Sequence, residues 1–241
     1  MAIGPNPPFY DLDDTNNFFS TSSLSAEVLR TTPAGVRGLG GDDQITGSAQ
    51  ADIIYGNLGN DSLYGLGGND TFYGGQGDDL LVGDGLNSTG DDVLSGNKGN
   101  DLILGGVGND ILRGGQDNDF LNGEEGNDTL VGDLGQDTLA GGAGDDLLVL
   151  RRDTAAVADA SGAIAADFIV DFGTGNDRIG LTGGLQESQL QLLAITLTDS
   201  GGGSTPSTAI TFNDNGVFKT LGLVLGKTPT ELAGKFVNTD F

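Results

Sequence analysis

The residues able to do chemistry in this chain are aspartates set at a fixed interval. Asp43, Asp52, Asp61, Asp70 and Asp79 stand nine apart; after one longer step come Asp92, Asp101, Asp110, Asp119, Asp128, Asp137 and Asp146, again nine apart. The sequence has no histidine and no cysteine. The usual general base of hydrolases is therefore missing, as are imidazole and thiolate metal ligands. Hard oxygen ligands remain, and they select calcium or magnesium over transition metals. Magnesium fits less well, because it demands strict octahedral geometry and keeps its waters.

The aspartates belong to a repeat that must position them. Twelve units run from Gly38 to Val149, each nine residues long except Gly83–Ser95, which carries four more. All twelve begin with Gly, hold Asp at the sixth place and hold Ile, Leu or Phe at the eighth. Gly fills the fourth place in ten of them, with Gln50 and Asp117 as the exceptions. A low-complexity Gly/Asp linker would not keep an apolar residue at one phase. Each unit reads as a six-residue turn followed by a three-residue strand, as in Gly74 to Asp79 and then Leu80-Leu81-Val82. Glycine suits turn angles closed to other residues. Strand alternation points the eighth-place residue inward, so Ile45, Ile54, Leu63, Phe72, Leu81, Leu94, Ile103, Leu112, Leu121, Leu130, Leu139 and Leu148 are expected as two facing rows. Two units make one coil, and units eighteen apart stack. The insertion Gly85-Leu86-Asn87-Ser88 is expected to loop out without breaking the stack.

Stacking puts Asp43, Asp61, Asp79, Asp101, Asp119 and Asp137 on one edge and the other six on the opposite edge. Carboxylates at the strand spacing of about 4.8 Å repel by roughly 1 kcal/mol in water and about 3–4 kcal/mol at an effective dielectric of 20. Over all neighbouring pairs this rivals a domain's net stability of about 5–15 kcal/mol. Without counter-ions the coil should not close. Calcium takes six to eight oxygens, backbone carbonyls included, in tolerant geometry, and glycine turns leave carbonyls unobstructed.

The nonapeptide resembles the repeats-in-toxin (RTX) family, whose G-G-x-G-x-D-x-U-x units form calcium-loaded parallel β-rolls. The resemblance covers Gly38 to Val149 and implies an all-β fold. In it, ions sit between a turn and the turn one coil on, held by the sixth-place carboxylates and by backbone carbonyls. Carried over, the carbonyls belong to the turn glycines Gly41, Gly59, Gly68, Gly77, Gly90, Gly99, Gly108, Gly126, Gly135 and Gly144. One site would join Asp61 and Asp79 with carbonyls near Gly59 and Gly74. Up to about ten Ca2+ ions are expected (five gaps on each of two edges), with the sites beside Gln50 and Asp117 in doubt.

Residues 1–37 are expected to cap the first coil, with one short helix from Leu24 to Arg30. Residues 38–149 form the roll. Residues 150–241 read as a mainly antiparallel β cap: apolar stretches at 167–172, 178–181, 192–197 and 209–212, a hairpin turn at Asn215-Gly216 into Val217–Leu225, and a capping box Thr228-Pro229-Thr230-Glu231 opening a helix to about Lys235. The stretch Phe168 to Leu181 resembles the segment after the roll in serralysin-type RTX proteins. Asp171 and Asp177 are candidates for one more ion or for a structural turn. In that family the C-terminal region carries an uncleaved type I secretion signal, and Phe236, Val237, Asp240 and Phe241 are similar.

Thirty-five acidic against ten basic residues give a net charge of −25, which repels nucleic acid and anionic membranes. No run approaches membrane-spanning length, and the N-terminus lacks a signal-peptide pattern. The expectation is a secreted, non-catalytic calcium-binding protein, exported by a type I route and folding on calcium outside the cell, structural or adhesive at the cell surface or in the extracellular matrix. Cell-surface polysaccharide and a second copy are the partners left open. The alternatives are an accessory polysaccharide-binding module of an extracellular enzyme system and an ice-binding protein. For the last, Asn recurs at the fifth place, but no threonine ladder accompanies it. Enzymatic function is not expected: no G-x-S-x-G is present and the five glutamates are scattered. Leu80, Val82, Leu102, Leu104 and Phe120 form an outward apolar patch, expected to lie under a flank or to dock a partner. Tyr55 and Tyr73 are expected as stacked neighbours, able to stabilise the sheet or to contact sugar rings.

Overall fold

A computed structural model describes residues 9–20, 35–151, 166–173, 175–198 and 203–239. The helix expected over Leu24–Arg30 and the tail residues Asp240 and Phe241 lie outside them. Among the described residues the chain is almost wholly β, arranged as a parallel solenoid whose successive strands alternate between two facing sheets.

The first sheet has ten strands, all parallel: β1 (Phe9–Asp11), β3 (Gly35–Gly40), β5 (Ile53–Leu58), β7 (Thr71–Gln76), β9 (Val93–Lys98), β11 (Ile111–Gln116), β13 (Thr129–Leu134), β15 (Leu147–Leu150), β17 (Arg178–Leu181) and β21 (Phe236–Asn238). The second runs in parallel through β2 (Phe18–Ser20), β4 (Gln44–Thr46), β6 (Ser62–Leu66), β8 (Leu80–Asp84), β10 (Leu102–Val107), β12 (Phe120–Glu125), β14 (Thr138–Ala143), β16 (Asp167–Asp171) and β20 (Val217–Leu225). It ends in the antiparallel β19 (Ser204–Asp214) and β18 (Leu190–Thr198).

Eighth-place residues pair in register with their counterparts one coil away, as in Ile54 with Phe72 and Leu112 with Leu130. All twelve are fully buried and form one core between the sheets. The four-residue insertion leaves this register intact, since Phe72 still pairs with Leu94 and Leu81 with Ile103. Leu86 at its tip is 98 % exposed.

Most strands of the roll are longer than the expected three residues. They run five or six residues, through places seven to nine of one unit and on into the next. The ladder continues because a left-handed residue at the second place bends the strand without breaking it: Asn57 (φ 79°) pairs with Gly75 (φ 124°). Only the fourth to sixth places are left as the turn.

Both flanks continue the winding. β1 and β2 pair in parallel with β3 and β4, and Tyr10 stacks on Phe19 with centroids 5.1 Å apart. After Val149, β16 and β17 add further parallel strands to each sheet before β18–β20 turn antiparallel. The Asn215-Gly216 turn joins β19 to β20, with both residues at positive φ and Asn213 Oδ1 accepting from the Gly216 N–H at 2.7 Å. The capping box at Thr228 and Glu231 is present, but helix α1 (Pro229–Leu232) makes one turn and stops short of Lys235, because Ala233 is already extended. The apolar patch is open: Leu102 and Phe120 keep 39 % and 40 % exposure, so the described parts of the flanks do not cover it.

Truncating a ring in the middle of such a core leaves a cavity that neighbouring coils cannot collapse around. Phe72→Ala is expected to destabilise the folded roll by about 3–5 kcal/mol, measured by denaturant unfolding at fixed calcium.

Candidate metal centre

The sixth-place aspartate closes each turn, directly before the strand, and its side chain points back under the turn instead of into solvent. All but Asp52 of the twelve are buried. One oxygen of each is used within the protein. The N–H of Asp43 donates to Asp61 Oδ1 at 2.8 Å, that of Asp61 to Asp79, and so on through Asp101, Asp119 and Asp137. On the opposite edge the chain runs from Asp52 through Asp70, Asp92, Asp110 and Asp128 to Asp146. The structure thus brings the twelve aspartates together as two ladders, six to an edge.

The other oxygen is what matters for metal binding. In eleven of the twelve, Oδ2 is buried without a hydrogen-bond partner. A buried acceptor left unpaired costs about 1–3 kcal/mol, and more when it is charged. Eleven of them together exceed the net stability of an ordinary domain. Burial accordingly raises these carboxyls. Asp61, Asp101 and Asp110 are pushed up to about 7, and Asp70, Asp79 and Asp119 to about 8. Asp92, Asp128 and Asp137 reach about 6 for the same reason.

The space beside each lone oxygen is lined by more oxygen. A Cβ built on Gly56 would lie 2.2 Å from Asp61 Oδ2 and 2.6 Å from the carbonyl oxygen of Gly74, one coil on. On Gly123 it would lie 2.2 Å from Asp128 Oδ2 and 2.5 Å from Gly141 O. A side chain at either position would collide with both oxygens, so only glycine lets the carboxylate and the carbonyl of the next coil face each other. The turn glycines stack likewise: carbonyl oxygens of Gly41, Gly59, Gly68, Gly77, Gly90, Gly108 and Gly126 abut the turn one coil on. No three acidic side chains converge among the described residues, so an ion here would draw on one or two carboxylates and complete its shell with carbonyls. The donor set fits a hard, many-coordinate cation.

The two exceptions to the fourth-place glycine behave differently. Asp117 adopts the left-handed φ of 77° that the turn needs, and Asp119 beside it keeps its unpaired Oδ2. Gln50 does not adopt that conformation, and Ser48 turns its N–H (2.6 Å) and Oγ (2.9 Å) onto Asp52 Oδ2. Asp52 is the sixth-place residue whose second oxygen is satisfied.

The ladders run past the repeat. The Asp137 N–H donates to Asp167 Oδ1 and the Asp146 N–H to Asp177 Oδ1, each at 3.2 Å. Asp167 is raised to about 8, by burial first and then by the neighbouring Asp137. Asp171 sits opposite Ala140, outside the ladder. Sequence reasoning missed Asp167, although Asp167-Phe168-Ile169 and Asp177-Arg178-Ile179 repeat the Asp-x-apolar ending of a unit. It also missed the fifth place. There Asn60, Asn69, Asn100, Asn109, Asn118 and Asn127 each accept, through Oδ1, a main-chain N–H one coil on. Those amides hold the turns together.

The chain matches the RTX calcium-binding nonapeptide repeat, of the hemolysin type, in four copies spanning residues 36–63, 55–89, 86–121 and 113–148. No curated protein matches it.

Two outcomes follow from the ladder. Asp110→Asn should lower the number of bound calcium ions in equilibrium titration, whereas Asp52→Asn, at the position Ser48 already satisfies, should leave it unchanged. The pH dependence has a definite sign. These carboxyls are raised when folded, so the calcium-free roll is favoured below their unfolded value of about 3.9 and loses stability as pH rises through about 6–8. In metal-free buffer, circular dichroism should show β structure increasing as pH falls from 8 to 5, while calcium affinity decreases over the same range.

Proposed function

We propose that this RTX-type β-roll protein, whose repeats bind calcium, is a non-catalytic extracellular module that calcium folds once the chain has left the cell. RTX repeats imply calcium binding and an extracellular place of work. The finer reading rests on one observation: two ladders of buried carboxylates, each with an oxygen that nothing in the chain satisfies. Asp43, Asp61, Asp79, Asp101, Asp119 and Asp137 on one edge, and Asp70, Asp92, Asp110, Asp128 and Asp146 on the other, would be the acidic ligands. Turn and first-place glycine carbonyls would complete each shell. Calcium neutralises the ladders and supplies the missing partner to each lone oxygen.

Extracellular modules of low affinity bind calcium at about 10⁻⁴–10⁻³ M. Sites of that strength stay empty at cytosolic calcium, keeping the chain unfolded for type I export, and fill outside. A structural or adhesive role in matrix or cell coat is favoured by the absence of histidine and cysteine and by the repeat's carboxylates being committed to backbone N–H groups and the ion. A second reading, an accessory polysaccharide-binding module, is favoured by the Tyr55–Tyr73 ring stack (centroids 4.9 Å apart) on the outer face of the first sheet.

Chelation should unfold the roll and calcium should restore it. Equal far-ultraviolet β signal in chelator and in calcium at pH 7.5 would sink the proposal. Light scattering after size exclusion should show calcium-driven assembly if the role is structural, and a calcium-loaded monomer if it is accessory.

A further inference from the structure

The roll has two unlike faces. The second sheet carries no Lys or Arg in β4 through β16, and its outer rows hold the apolar patch. The first sheet bears Arg37, Lys98, Arg113 and Arg178, with Arg151 just beyond β15. Across this face run two adjoining hollows of about 640 and 510 Å3 that share Asn97. Their charged linings are Lys98, Arg113 and Arg151 against Asp133 alone. In a chain with 35 acidic and 10 basic residues this is a local reversal of sign.

The larger hollow contains a slot. Tyr73, Ser95 and Arg113 are register partners on the adjacent strands β7, β9 and β11. With strands about 4.8 Å apart, the bases of Tyr73 and Arg113 lie roughly 10 Å apart, and the short Ser95 leaves the space between them open. One face of Tyr73 is used by Tyr55, stacked at an interplanar angle of 15°; the other borders the slot. On the far wall, Arg113 is held by Asp133 at 2.7 Å, which Arg151 also grips at 2.6 Å. Arg113 keeps 47 % side-chain exposure, so its guanidinium is fixed without being covered. Asn97, whose amide is oriented toward the Ser95 carbonyl at 3.3 Å, and Gln116 supply hydrogen-bonding groups to the lining.

We infer that this groove binds an anionic polysaccharide, with one acidic sugar ring seated over Ser95 between the free face of Tyr73 and the guanidinium of Arg113. The spacing admits a single ring with a contact on each side. Aromatic faces attract the C–H side of a sugar, and a fixed guanidinium favours a carboxylate or sulfate. The second hollow, with Lys98, extends the groove across further strands, which suits a chain more than a small molecule. The inference rests on the reading of the roll as a calcium-folded module and names its partner.

The test uses the full chain with calcium in excess, titrated calorimetrically with a short oligouronide, a sulfated oligosaccharide, and the carboxyl-reduced neutral counterpart of the first. The expected result is binding of an acidic oligomer, with the neutral one weaker by roughly tenfold or more. The two acidic probes separate carboxylate from sulfate as the group recognised. Ser95→Leu, which fills the slot, and Arg113→Gln should each weaken the acidic ligand by about tenfold or more while calcium stoichiometry and circular dichroism stay those of the parent. Equal binding of the neutral oligomer, binding insensitive to Ser95→Leu in a folded variant, or no binding by a calcium-folded chain would overturn the groove and leave the calcium reading standing. A chain that does not fold in calcium overturns both.

Discussion

The fold depends on a carboxylate oxygen that the protein buries and does not satisfy. Ten of the twelve sixth-place aspartates, all but Asp43 and Asp52, split their two oxygens between two tasks. Oδ1 takes the N–H of the aspartate one coil earlier, and Oδ2 faces a gap walled by glycine carbonyls. Hydrogen bonding alone cannot close this arrangement, because carbonyls and ionised carboxylates are all acceptors. Only a proton or a cation completes it. The rows of Ile, Leu and Phe between the sheets supply the hydrophobic term, but that term is available only after the turns have closed.

Glycine is used here for what it leaves empty. At the first place of a unit its backbone angles are ordinary at most positions, and the missing Cβ is what opens the oxygen-lined gap. At the fourth place the left-handed φ is the rule, and Asp117 follows it where Gln50 and Gly90 do not. Of the two turns that depart from this geometry, the one at Gln50 is where a serine hydroxyl takes the lone oxygen.

Most of the architecture was legible in the sequence because period and phase are strict. The eighth-place core, the two aspartate edges, the looped insertion and the Asn215-Gly216 hairpin all follow from residue type at fixed spacing. The strand length was misjudged because second-place residues as different as Leu39, Asn57 and Glu124 adopt the same left-handed angle, a backbone choice imposed by the neighbouring coils and invisible in local composition. Asp167 was overlooked because a long connection separates it from the last unit, although its local pattern matches. The fifth-place amides looked like surface residues, since their partners lie eighteen or more positions away. The slot over Ser95 had no sequence signal, because it is made by a small residue standing between two large ones on adjacent strands.

The hydrogen-bonded ladder has a direction. Every sixth-place N–H finds its acceptor on the coil that follows, while the fifth-place N–H groups find theirs on the coil before, so each turn is tied from both sides. Asp167 and Asp177 supply the last acceptors, so the region after the repeat completes the sixth-place ladder on both edges. In a stack whose units touch only their neighbours, removing a coil therefore leaves an N–H without its acceptor on each of the two coils that flanked it.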